Sequence, residues 1–323
     1  MAEHLDPEGV IRWLLEPDNP SARYLALTRL LDRPESDADV MAARAAIAAT
    51  QPVRGILEAQ YPAQAADGQP AGYWVKPDVG YSPKYRATIW QIIFLAQLGV
   101  PPTPAIQAGC EYVLDHSRWP GDGRFIAGQQ PHTAILCLNG NLVWALQRLG
   151  YSVDARVEEA RAATVAEVVR YGYACRYNGG LECAWGAITV LRALLAQQPG
   201  QRCAEAETAV ERGVALLASV PLMEATYPTR GAVSDHWFRL AFPLTYQSDL
   251  LEAATVLAAA GYAAHSYMQA FVAWLLGKRD WMGRWPLEQT PGKMWSACGT
   301  PNRSNKWVTL RALRAMRALR LLA

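Results

Sequence analysis

Long apolar runs are missing from this sequence. The longest stretches, such as IIFLAQLGV at residues 92–100, fall well short of the ~20 residues that a membrane-spanning helix needs. The opening MAEHLDPEGV is acidic and has no apolar core, so no secretory signal is expected there. Without one, the six cysteines read as reduced thiols of a cytoplasmic protein and not as a disulfide framework. An excess of charge is missing too, since a formal net charge of +2 supplies nothing to attract nucleic acid. Strand-like alternation is absent over any length. No P-loop, dinucleotide fingerprint, HExxH or Gly-x-Ser-x-Gly motif occurs.

Two residue types are scarce in an informative way. There are 5 Phe against 12 Trp and 14 Tyr. Such rings can fill a large core and hydrogen-bond at its edges, or they can wall a cavity for an apolar or cationic guest. Lysine occurs only at positions 76, 84, 278, 293 and 306, while arginine is the usual cation. A lysine kept in such a background suggests a need for a compact ammonium, although five surface lysines are the simpler reading.

What is present is helical periodicity. Apolar spacing predicts helices over 7–16, 21–32, 36–49, 85–99, 103–115 and 135–149. It predicts further helices over 153–170, 181–198, 203–219, 245–260, 264–277 and 305–321. Several end at glycine, as at Gly99, Gly150 and Gly261. The connections repeat a Gly-x-aromatic or Gly-x-Leu turn: Gly72-Tyr73-Trp74, Gly123-Arg124-Phe125, Gly179-Gly180-Leu181 and Gly283-Arg284-Trp285. Their intervals of 51, 56 and 104 residues mark a unit of about fifty, two helices long. Within a unit the first helix is the more apolar, so it belongs inside and its charged partner outside. Six inner helices, beginning near 21, 85, 135, 181, 245 and 305, predict one all-α domain over 1–323. In it 1–60 close the ring and 61–323 form the repeats, an (α/α)6 toroid of helical hairpins.

The repeat, its Gly-x-Trp turns and the segments GRWPLE, GKMW and SNKWVTLRALRAM resemble the prenyltransferase and squalene-cyclase repeat superfamily. The chain looks more like its short, single-ring bacterial members, over roughly residues 60–323. That resemblance implies a central cavity holding an isoprenoid chain, with a terpene-cyclase-like reaction or a zinc-dependent prenyl or alkyl transfer. The terpene-cyclase-like reading comes first, and a non-catalytic lipid-binding or scaffolding toroid is a further alternative.

Three constellations could carry chemistry. His132, Cys137, Cys175 and Cys183 fall at or near the starts of adjacent inner helices, and thiolate with imidazole suits tetrahedral Zn²⁺. In the resembling transferases, zinc is held by an Asp, a Cys and a His at inner-helix starts; here Leu181 stands where the Asp would be. Small buried core thiols are the simpler reading. The second constellation is Asp235, His236 and Asp249. A cyclase needs a protonated carboxyl, which Asp235 or Asp249 could supply with His236 or Tyr246 as partner. Asp249 could instead only stabilise a helix start. The family's DxDD acid motif is absent, and SDAD at 36–39 reads as a helix start. The third is a pocket mouth for a diphosphate or other anion, framed by Lys84, Lys293 and Lys306 with Tyr81, Trp295 and Trp307. Trp74, Trp285 and Tyr246 are expected among the substrate-binding residues as well. Finally, Arg311, Arg314, Arg317 and Arg320 predict a solvated helix face, with peripheral contact to an anionic membrane as the alternative.

Overall fold

A computed structural model describes residues 7–61, 71–197, 200–229 and 234–322. Among the described residues the chain is all-helical, with thirteen α-helices and only isolated bridges in place of sheets. The N-terminal part supplies α1 (Pro7–Leu14), α2 (Pro20–Arg29), α3 (Ala38–Ala46) and α4 (Val53–Glu58). Then come α5 (Thr88–Gln97), α6 (Pro104–His116), α7 (Leu136–Leu146), α8 (Ala155–Tyr171), α9 (Ala184–Leu194) and α10 (Ala204–Ala218). The chain ends with α11 (Leu250–Leu257), α12 (Tyr267–Gly277) and α13 (Lys306–Ala318). None of these helices is long and apolar enough to cross a membrane.

Every helix expected from periodicity is present, and α4 is an addition. It has six residues and no side-chain cap, too short for a periodic signal, yet Val53 and Ile56 bury against the core. Six of the helices start where a side chain accepts the first amides. Asn19, Asp37, Thr103, Asp154, Asp249 and Asn305 each cap the helix that follows.

Burial separates two kinds of helix. α5 buries nine of its ten residues, whereas α8 buries five of seventeen along one stripe. The apolar helices are neighbours in the order α5, α7, α9, α11, α13, α2. The Ser21 hydroxyl donates to the Leu98 carbonyl at 2.7 Å, tying the start of α2 to the end of α5. The amphipathic helices lie on these, α6 on α5, α8 on α7, α10 on α9, α12 on α11 and α3 on α2.

The aromatic turns plug the gaps between units. Trp74, Phe125 and Trp285 are fully buried. Their backbone N–H groups donate to Thr88 Oγ1 (3.0 Å), Asn139 Oδ1 (2.8 Å) and Thr309 Oγ1 (2.9 Å) on the next inner helix. The indoles of Trp74 and Trp285 donate backward, to the carbonyls of Ile56 in α4 and Leu275 in α12, both at 2.7 Å. The third turn departs from the sequence pattern. Leu181 is 44% exposed, and the buried ring of that unit is Tyr173, whose hydroxyl donates to Ala209 of α10 at 2.8 Å. Residues 173–175 pair with 181–183 as a short ribbon, so α9 starts at Ala184 instead of 181.

The tightest approach is between α7 and α9. A Cβ added to Gly140 would meet the Thr189 and Val190 backbone at 2.5 Å. The two helices touch backbone to backbone there, which only glycine permits. Gly140→Ala must push them apart. A loss of about 1–3 kcal/mol in urea unfolding is expected from overpacking, against a propensity gain of at most about 1 kcal/mol. An unchanged or raised midpoint would contradict the close contact.

Candidate functional site

A cavity of about 610 Å³ lies against the starts of α7 and α9. Its walls come from the loop before α5, the 173–183 ribbon, the segment after α10 and the approach to α11. Aromatic rings dominate: Tyr81, Tyr177, Trp185, Tyr227, Trp237 and Tyr246. Trp185 meets Tyr246 edge-on with centroids 6.3 Å apart, and Tyr227 meets Trp237 at 5.3 Å. Two of these rings are anchored by their polar tips. Tyr227 donates to the Leu217 carbonyl at 2.7 Å and Trp237 to the Leu222 carbonyl at 3.2 Å. Burial pushes the Tyr81 phenol well above its usual range, so its hydroxyl stays neutral.

One cationic side chain stands at this cavity. Lys84 is exposed at the mouth, with Nζ 4.5 Å from the Tyr246 ring centroid and 5.9 Å from that of Tyr81. No Asp or Glu belongs to the lining among the described residues. Ile135 and Cys183, the residues that open α7 and α9, provide no side-chain cap, so both helices begin at the cavity uncapped by their own residues.

Three thiols share the wall. Cys137 sits in the first turn of α7, Cys175 in the ribbon, and Cys183 at the ribbon's end where α9 starts. The neighbouring Cys183 thiol, with the Tyr177 and Asn178 amides, favours the Cys175 thiolate and pulls that thiol below its usual range despite its burial. Cys183 moves the opposite way, through its coupling to Cys175 and its burial. Burial pushes Cys137 up to about 12. The same three cysteines also line an adjoining cavity of about 420 Å³, in which His132 is exposed on the 3₁₀ turn Pro131–Thr133. Cys137, Cys175, Cys183 and His132 therefore do come to one region. Among the described residues, however, no group of three or more His, Cys, Asp or Glu side chains is arranged to hold a metal ion. The remaining cysteines lie elsewhere, Cys110 and Cys298 buried and Cys203 exposed.

Asp249, Asp235 and His236 do not share a wall with these thiols. Asp249 is 1% exposed and caps α11. Its Oδ1 accepts from the Glu252 amide (2.9 Å) and Arg311 Nη2 (2.7 Å); its Oδ2 accepts from the Ala241 amide and Arg311 Nη1, both at 2.9 Å. Its hydrogen-bonding positions are all taken by donors, the environment of a structural carboxylate. Arg311 is thus turned inward and does not belong to a solvated face. Asp235 is 87% exposed beside Arg239, and His236 Nδ1 meets Gln289 Oε1.

The predicted binding residues divide in two. Tyr81, Lys84 and Tyr246 reach the cavity. Trp74 and Trp285 are the core plugs described above, and Trp307 stacks on Phe242 at 5.2 Å while its indole donates to Ser21 Oγ at 2.9 Å. Lys306 is buried against Glu16, Asp18 and Trp13. Lys293 and Trp295 touch the loop that carries Lys84: Arg86 Nε donates to the Lys293 carbonyl and the Trp295 indole to the Arg86 carbonyl, both at 2.9 Å. Tyr177, Trp185, Tyr227 and Trp237 are the cavity residues that motif reading passed over. Trp185 was within reach of it, two residues after Cys183, whereas Tyr227 and Trp237 lie in a segment without periodicity.

No family model matches the sequence, and no curated protein proves similar to it.

Two outcomes follow from this geometry. Arg311→Met would leave the buried Asp249 charge unpaired and should cost about 3–5 kcal/mol in chemical unfolding; a loss under about 1 kcal/mol would contradict the pairing. Iodoacetamide should modify Cys175 at lower pH than an ordinary thiol, because its thiolate persists further into acid. Cys183→Ala removes the neighbouring thiol that favours the Cys175 thiolate and should move that pH profile upward. An unmoved profile would show that Cys183 does not stabilise the thiolate.

Proposed function

We propose that this chain is a ring of six inner and six outer helices, and that its cavity binds a molecule with an isoprenoid-like apolar body and an anionic head. The observation that carries the reading is the lining itself. Six aromatic side chains surround about 610 Å³, within the usual 300–1,000 Å³ of small-molecule sites, and one ammonium stands at the mouth. The neighbour order α5, α7, α9, α11, α13, α2 and the repeat's resemblance to isoprenoid-handling toroids support it.

An apolar chain would lie along the Trp185, Trp237 and Tyr246 faces, where burial of its surface contributes ~25 cal/mol per Å². A diphosphate or carboxylate would face Lys84 and the amides at the starts of α7 and α9. Binding is a better reading than protonation-started cyclisation. That reaction needs an acid at the cavity wall, yet Asp249 is occupied by Arg311 and Asp235 faces solvent. A zinc-dependent transfer would draw on the three thiols, but among the described residues their donors are not gathered into a ligating group.

Farnesyl diphosphate should quench tryptophan emission saturably, through Trp185 and Trp237, and Trp185→Phe should reduce the amplitude. Lys84→Met should weaken farnesyl diphosphate about tenfold, the scale of one charge-assisted hydrogen bond, while leaving farnesol nearly unchanged. Absence of saturable quenching up to the solubility limit would refute the isoprenoid site. An equal effect of Lys84→Met on both ligands would refute the placing of the head.

A further inference from the structure

We propose that Arg29, Arg148 and Arg314 form a second binding site, for a phosphate group, toward the C-terminal ends of α2, α7 and α13 and away from the cavity at the start of α7. The inference does not depend on the isoprenoid reading, since it rests on how the charges between these helices are balanced. Two layers of arginine follow from the contacts. In the first, Arg311 of α13 pairs with Asp249 at the start of α11 and with Glu252, and Glu252 reaches Arg192 of α9 at 3.5 Å. Arg192 in turn donates to Asn141 of α7 and lies 4.2 Å from the Trp144 ring centroid. These contacts show which faces of α7 and α13 are turned toward the other helices.

Helical spacing carries both faces one layer on. Arg148 follows Asn141 by seven residues and Trp144 by four, in the turn that prolongs α7, so it stands on the same stripe. Arg314 follows Arg311 by three on α13. From α2, which lies on α13, Arg29 comes one turn after Leu25, and Leu25 packs on Gly99 at the end of α5.

No carboxylate answers this second layer. Among the described residues none of the three guanidiniums makes a hydrogen bond or an ion pair, and Arg29 Nε is shut off from solvent as well. Asp249 and Glu252 are occupied by Arg311 and Arg192. Asp32 pairs with Arg317, and Glu35 accepts from the Tyr24 hydroxyl at 2.7 Å. Arg148 and Arg314 are exposed, so a solute can reach them. Arg148 is nevertheless pushed down to about 10, first by the protein around it and then by the charges of Arg29 and Arg314. The C-terminal end of a helix favours a cation. That accounts for each arginine singly, but not for three that repel one another without a partner. A phosphate group resolves the repulsion: its oxygens accept from several guanidinium forks at once, and its charge replaces the missing carboxylates. Such a group can belong to a soluble phosphorylated compound or to a lipid headgroup.

The test titrates the full chain with inorganic pyrophosphate by calorimetry at low ionic strength. Lys84→Met is the background, so that the mouth of the aromatic cavity contributes nothing. One saturable site should remain in it. Adding Arg148→Met or Arg314→Met should weaken that site by about tenfold or more, the scale of a charge-assisted hydrogen bond. Arg320→Met removes an exposed arginine just beyond α13 and should leave the site nearly unchanged. Because Arg148→Met and Arg314→Met each remove a repelling charge, those proteins should melt no lower than their background without ligand. Pyrophosphate should raise the background's midpoint and not theirs. Retention on phosphatidic acid vesicles that Arg148→Met abolishes would place the phosphate on a lipid; pyrophosphate binding without such retention would place it on a soluble compound. Loss of all binding with Lys84→Met alone, or an equal effect of Arg320→Met, would overturn the proposal.

Discussion

The backbone contact between α7 and α9 at Gly140 is the constraint on which the site depends. Two helices that approach this closely can lie side by side in few ways, because each side chain along the seam must find a groove in its partner. Their starts are therefore fixed relative to one another, and both open on the cavity. Cys137 is carried by one start; Cys183 and Trp185 are carried by the other. The ribbon ahead of α9 then brings Cys175 beside Cys183, and its 3₁₀ turn sets Tyr177 at the rim. A wider seam would leave the same residues on the same helices but would spread the wall they make.

A second constraint lies among the inner helices themselves. Asp249 joins α11 to Arg311 on α13, and Glu252 extends the link to Arg192 on α9 at 3.5 Å. Arg192 reaches Asn141 of α7, whose amide donates to the Thr245 carbonyl at 3.0 Å. The Arg192 guanidinium also lies 4.2 Å from the Trp144 ring centroid. Burial works against the Arg311 charge, yet Asp249 and Glu252 hold its guanidinium above the usual range. Such a network adds little net stability over well-packed apolar groups, but it penalises any arrangement that breaks it. It therefore specifies which inner helices are neighbours. Tyr246, which belongs to the cavity, follows directly on the Thr245 that the network anchors.

Much of the fold was legible because burial on all sides and burial on one side leave different patterns. ATIWQIIFLAQLG reads as enclosed and EEARAATVAEVVR as a surface helix, and α5 and α8 are buried accordingly. Turn residues were less reliable guides. Gly179-Gly180-Leu181 fits the repeat's spacing, yet Tyr173 performs the buried role because ribbon pairing displaces the start of α9. The site was legible only in part. Tyr81, Lys84, Tyr246 and the cysteines were singled out, and all of them reach the cavity region. Trp74, Trp285 and Trp307 have the same composition signature but point into the core, and periodicity does not distinguish a plug from a wall. Asp249 raised the same ambiguity. Only its partner on α13, far along the chain, reveals that its oxygens are occupied.

Backbone hydrogen exchange with and without farnesyl diphosphate tests the central claim most directly, because it reports where a ligand binds without relying on any substitution. The account predicts slowed exchange confined to the segments around 81–84, 173–186, 225–229 and 237–246, with the outer helices α8 and α10 unchanged. Protection on the outer helices, or none at all under saturating ligand, would contradict it.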